Sequence, residues 1–200
     1  MIFIRYEKWR TYVKQYPVTT LLLLANIIMF IVLAISGGSK DGETLLRFGA
    51  MWKEEPYVHE TWRMFTSMFL HIGFDHLLFN MFALYVFAPP IEQALGSFKY
   101  AVLYLASGVL GSAVSVWLSE WGTLSAGASG AIYGLYGAYF FIALFQRWAL
   151  DEASRKTLYI ILGLGIIQSF LMSNVSWSAH LGGLAAGFVV YGLMRWVHRK

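Results

Sequence analysis

The chain is 200 residues long, 58% hydrophobic and only 13% charged, with no cysteine and a formal net charge of +4. Such sparse charge at a mean hydropathy of +0.57 excludes an ordinary soluble domain and points to a multi-span membrane protein. Without cysteine there are no thiol nucleophiles, zinc thiolates or disulfides, so any chemistry must come from Ser, His, Asn, Asp or Glu.

In chain order, a short basic segment over residues 1–16 precedes the first apolar stretch, 18–36. Five more stretches follow at 72–95, 100–118, 126–145, 158–172 and 178–197, each near the roughly 20 residues that an apolar bilayer core of about 30 Å requires; the fifth is short. The fold class this predicts is all-α: a polytopic membrane protein of six transmembrane helices, forming one domain over residues 1–200. Ala34-Ile35-Ser36 has the small-residue pattern of a signal cleavage site, but the apolar stretch before it exceeds the roughly 7–15 residues of a signal core.

Between the first two spans lies a connection of about 34 residues, 37–70, longer than a compact domain normally tolerates without a use for it. Its apolar positions Leu45, Leu46, Phe48, Met51 and Trp52 alternate with Arg47, Lys53, Glu54 and Glu55, followed by Trp62-Arg63-Met64-Phe65. This reads as an interfacial segment in the outer headgroup region.

Six spans put both termini on one side of the bilayer. That side collects Arg5, Lys8, Arg10, Lys14, Lys99, Arg147, Arg155, Lys156, Arg195, Arg199 and Lys200, against Lys40, Arg47, Lys53 and Arg63 opposite. The asymmetry predicts cytoplasmic termini in a cell-membrane protein, and it accounts for the basic balance without nucleic acid. The connections 119–125 and 173–177 carry no Lys or Arg and are expected to face outward.

Small residues recur four apart within the spans: Gly130 and Gly134, Gly183 and Gly187, Gly108 with Ser112, Gly111 with Ser115. The spacing lets membrane helices approach backbone to backbone. In the sixth span His180, Gly183 and Gly187 share a helical face, so the smooth face also carries an imidazole.

An ionisable group in a span is costly and marks a functional site by default. His180 lies in Ala179-His180-Leu181-Gly182-Gly183, and Ser129 in Gly127-Ala128-Ser129-Gly130. Counted at 1.5 Å per residue from Arg147 and Arg195, Ser129 and His180 lie roughly 27 and 22 Å above the cytoplasmic boundary, both in the outer half of the bilayer. A serine becomes a nucleophile beside a neutral imidazole, so the pair reads as nucleophile and general base. In the second span His76 and Asn80, at i and i+4, point the same way and could donate hydrogen bonds to an oxyanion beside the N–H of Ser129. Asp75 is adjacent to His76 and faces elsewhere, which leaves a Ser-His dyad without an acidic member.

At this point the sequence resembles the rhomboid intramembrane serine proteases. The matching residues are Trp62-Arg63, His76-x-x-x-Asn80, Glu92-x-x-x-Gly96, Gly127-x-Ser129-Gly130 with Tyr133, and Ala179-His180-x-x-Gly183-x-x-x-Gly187, in the family's order. The resemblance implies Ser129 as nucleophile, His180 as base, His76 and Asn80 as oxyanion donors and Tyr133 packed on the imidazole. Gly127, Gly130, Gly183 and Gly187 support the site; no cofactor or metal is expected. It further implies a water-filled cavity open to the outside, and lateral access gated by the fifth span and the loop before the sixth. The substrates it implies are single-span membrane proteins cut at or near the outer membrane edge. Trp62-Arg63, Glu92 and Gly96 match structural positions of the family. The expected departures are the lack of a soluble domain before the first span and of a seventh span after the sixth.

Two rivals make different predictions. A catalytically inactive, client-binding relative would lack the serine or the histidine. A small transporter would continue polar positions through the inner half of the spans, where 138–144 and 184–190 are apolar or small. A metalloprotease would need His-Glu-x-x-His, which is missing.

Overall fold

The computed structural model describes residues 1–118, 122–171 and 175–197. The chain runs through α1 (Trp9–Gln15), α2 (Pro17–Ser36), α3 (Gly42–Arg47), α4 (Arg63–Thr66), α5 (Phe74–Leu95), α6 (Ser97–Leu118), α7 (Ser129–Phe145), α8 (Glu152–Leu171) and α9 (Trp177–Val197). Four of these, α2, α5, α6 and α9, are long and apolar enough to cross a membrane. The fourth expected span is the shorter apolar helix α7, and the fifth is α8, which begins well before residue 158 and carries Glu152, Arg155 and Lys156 in its first turns. The expected connections 119–125 and 173–177, Met172 at the end of the expected fifth span, and the terminal Arg199 and Lys200 fall wholly or partly outside the described residues.

The all-α expectation is corrected in one small place. Met51–Trp52 (β1) pairs antiparallel with Leu124–Ser125 (β2), Met51 opposite Ser125 and Trp52 opposite Leu124. Two-residue strands have no sequence period to betray them; the pairing arises because the long connection is brought beside the chain that leads into α7.

The connection 37–70 is folded and has its own small core. Leu45, Ala50 and Leu70 pack with Leu33 at the end of α2. Asp41 caps α3, its carboxylate accepting from the Thr44 N–H at 2.7 Å, and hydrogen bonding to Thr44 holds the Asp41 carboxyl below its usual range. Arg63 ties the segment together: Nη1 donates to the Leu46 and Ala50 carbonyls at 2.7 and 2.9 Å and Nε to Glu60 at 2.6 Å, with the guanidinium over the Tyr57 and Trp62 rings. The N-terminal segment is also packed rather than trailing. Phe3 is buried against Phe87 and Tyr139.

Several buried polar groups in the long helices find partners within the protein, as an apolar solvent favours, while the hydroxyls of Tyr104 and Ser107 in α6 have no hydrogen-bond partner among the described residues. Pro89 and Pro90 lie inside α5, and Pro89 frees the carbonyl of Tyr85, which accepts instead from the Tyr12 hydroxyl at 3.1 Å. Glu92 is buried where α5 meets the starts of α2 and α6. Its carboxylate accepts from the Val18 and Thr19 N–H groups at 3.0 and 2.9 Å, the Thr19 hydroxyl at 2.6 Å and the Ser97 hydroxyl at 2.7 Å. It thereby satisfies first-turn donors of α2 and complements that helix's dipole.

Helix α7 is the most enclosed element, buried along almost its whole length from Gly130 to Tyr139 and packed most extensively on α9. Its 17 residues rise about 26 Å, short of the roughly 30 Å apolar core, so one end can sit below the bilayer surface. Large apolar side chains on α2, including Leu24, Ile28, Ile31 and Ile35, are exposed, which suits a lipid solvent and would be a liability in water.

Candidate active site

The site is built on the contact between α7 and α9. A Cβ at Gly183 would fall on the carbonyl oxygen of Gly130, and one at Gly187 on that of Gly134, so only glycine permits this approach. A Cβ at Gly130 itself would meet nothing closer than 3.5 Å, so the need for glycine in this pair lies on α9. One turn before Gly183, His180 therefore leaves α9 close against α7.

The imidazole of His180 is buried and held on two sides. Tyr133 of α7 stacks on it with centroids 4.0 Å apart and planes inclined by 13°. From α8, the Ser169 hydroxyl oxygen lies 2.6 Å from Nδ1, 2.7 Å from the Gly165 carbonyl and 3.3 Å from the Tyr133 hydroxyl. Sequence reasoning missed Ser169. The available signal was a Gln168-Ser169 pair interrupting an otherwise apolar stretch.

Ser129 is the first residue of α7, one turn before Tyr133 on the same face, and is partly exposed. The chain leading to it is clamped by the long connection, through β1–β2 and through the Gly127 N–H, which donates to the Ser67 carbonyl at 2.9 Å. Gly127 has φ of +139°, a conformation that side-chain-bearing residues rarely adopt. A Cβ there would lie 2.8 Å from His76 Nε2 and 3.7 Å from the Ser129 hydroxyl oxygen, so the His76 ring and Ser129 flank this glycine.

Asn80 is buried one turn further along α5, and its Nδ2 donates to the His76 carbonyl at 2.7 Å, which leaves one amide hydrogen for other use. Asp75 is exposed. Behind His76 lies a second imidazole, fully buried His71, edge-on at 5.1 Å. Among the described residues no cluster of three or more His, Cys, Asp or Glu could hold a metal ion. The arrangement thus offers a hydroxyl at a helix N-terminus, where unpaired N–H groups and the dipole favour negative charge, with the His76 ring across Gly127 from it and the His180 ring stacked on Tyr133 one turn along the same helix. That is the equipment of acyl transfer through an oxyanion.

Long apolar helices around a buried His180 and Asn80 and a half-buried Ser129 define a multi-pass membrane protein with a polar interior site. The Rhomboid domain family model matches residues 58–197, and the chain belongs to the rhomboid family. It is 33% identical over 193 residues to YdcA of Bacillus subtilis (strain 168), covering 94% of each chain. It is 39% identical over 173 residues to the rhomboid protease GluP of the same organism, covering 86% of this chain and 34% of GluP. Rhomboid-type serine protease 2 of Emericella nidulans is 31% identical over 145 residues, 71% of this chain and 28% of that one.

Proposed function

We propose that the protein is an intramembrane serine endopeptidase whose 200 residues form one six-span domain. Both termini are cytoplasmic, and the active site lies in the outer half of the bilayer. The observation that carries this reading is Tyr133, one turn from Ser129, stacked at 4.0 Å on His180. The relatives named as proteases support it.

In this reading His180 Nε2 takes the Ser129 proton as the hydroxyl attacks the scissile carbonyl. The resulting oxyanion accepts from the Ser129 N–H, from His76 Nε2–H and from the free Asn80 amide hydrogen. His180 then delivers its proton to the leaving amine, and the acyl group stays on Ser129. Water, deprotonated by the same imidazole, releases it. The substrates are single-span membrane proteins, reaching the site laterally past α8.

A fluorophosphonate probe on the detergent-purified protein tests the reading without knowledge of the substrate. Labelling that disappears in Ser129→Ala is the expected result. No labelling of folded wild type, or undiminished labelling of Ser129→Ala, would overturn it.

A further inference from the structure

A neutral imidazole carries its hydrogen on either nitrogen, and only the form with Nε2 bare can accept a proton from Ser129. The hydrogen bonds around Ser169 decide between the two. A serine hydroxyl has one hydrogen and two lone pairs. The Gly165 carbonyl, 2.7 Å away, can only accept, so the Ser169 hydrogen is committed to it. What Ser169 turns toward His180 Nδ1 at 2.6 Å is therefore a lone pair, and the ring must donate. The Tyr133 hydroxyl, 3.3 Å away, can donate to the second lone pair. Ser169 is buried, so water does not compete for these positions.

We propose that Ser169 is a positioning residue that locks His180 in the Nδ1–H form and aims the bare Nε2 toward Ser129. The proposal deepens the protease reading and rests on it for its catalytic consequence. Ser169 occupies the place an acidic third member would take but brings no charge, so it orients the ring without the strong stabilisation of imidazolium that a carboxylate gives. It also stands on α8, while the base is on α9 and its stacking partner on α7. The protonation pattern of the base therefore depends on α8 being docked.

The isosteric pair Ser169→Thr and Ser169→Val, in the full chain in micelles, tests this. The first readout is the ¹⁵N spectrum of imidazole-labelled protein at mildly alkaline pH, with His180 assigned by its loss in His180→Gln. Wild type and Ser169→Thr should show one tautomer, Nδ1 protonated, and Ser169→Val a mixture or the reverse. The second readout is cleavage of a membrane-embedded reporter. A base contributes about 10²–10⁴ in rate, and its positioning partner less, so kcat should fall about tenfold in Ser169→Val with little change in KM and recover in Ser169→Thr.

The acid limb of the pH–rate profile should also move to lower pH in Ser169→Val, because imidazolium loses an acceptor. The other titratable groups facing the ring are His76 from α5 and Tyr133 from α7, both unchanged in this series. A folded Ser169→Val that keeps the wild-type tautomer, kcat and acid limb would overturn the proposal. Wild type that neither labels nor cleaves would overturn the protease reading instead, and the spectrum would still decide the tautomer.

Discussion

At the scale of single residues, the proposed chemistry divides unequally between the groups around Ser129. Nucleophile and base act as one unit, so Ser129→Ala and His180→Ala should each reduce cleavage of a membrane-embedded reporter to background, with the double variant no worse than either. Because the base must be neutral, the rate should fall as pH drops through its folded-state pKa; an unperturbed imidazole titrates near about 6.5. A rate flat from mildly alkaline to strongly acid pH, with folding checked at each point, would return both residues to a packing role. The oxyanion donors are partly redundant. Losing one costs about 10²–10³ in other acyl-transfer enzymes, and water in an open site can substitute. His76→Ala and Asn80→Ala should therefore be impaired but measurably active, and full rates in both would make them structural.

At the scale of elements, the site depends on helices held at distances that single atoms control. Gly183→Val places a branched side chain against the Gly130 carbonyl, so α9 must move away from α7 and carry His180 with it. Fluorophosphonate labelling should be lost together with a lowered thermal midpoint, whereas enlarging exposed Val189 of the same helix to Leu should alter neither. Glu92 acts at the opposite end of the helices from Ser129. Glu92→Ala leaves the first-turn donors of α2 without their acceptor at a cost of about 1–3 kcal/mol, read as a lowered midpoint in micelles. Gln, which keeps one acceptor oxygen, should recover part of that loss.

At the scale of the whole molecule, the charge asymmetry makes a prediction about orientation that the absence of native cysteine renders easy to test. In intact cells a membrane-impermeant maleimide added outside should label Lys40→Cys, in the long connection, and spare Lys8→Cys until the membrane is broken. The opposite pattern would invert the topology and place Ser129 on the cytoplasmic side. The long connection matters to this whole as more than a surface feature. Through β1–β2 and the Ser67 carbonyl it holds the strand of chain that ends at Ser129.

The sequence by itself determined the apolar helices, the charge asymmetry and which polar residues are candidates for the proposed site. Each of these is a local pattern: a run length set by bilayer thickness, a bias in Lys and Arg, or a polar group placed where hydrocarbon should surround it. It also carried the glycine spacing of α9, because close approach leaves its mark on the chain that makes it.

The tertiary structure alone decided contacts between residues distant in sequence. The seating of the long connection on α2, the β1–β2 pairing and the packing of Phe3 depend on where separate segments meet, and two-residue strands and single aromatics leave no period to read. Helix boundaries shifted for a related reason. The expected start of the fourth span at residue 126 gave way to Ser129, because the clamped turn at Gly127, and not hydropathy, sets where α7 begins. Ser169 shows the limit most plainly. A serine in an apolar helix normally bonds back to its own backbone, as this one does with Gly165, and only the arrival of His180 from the next helix turns its remaining lone pair into a device for choosing a tautomer.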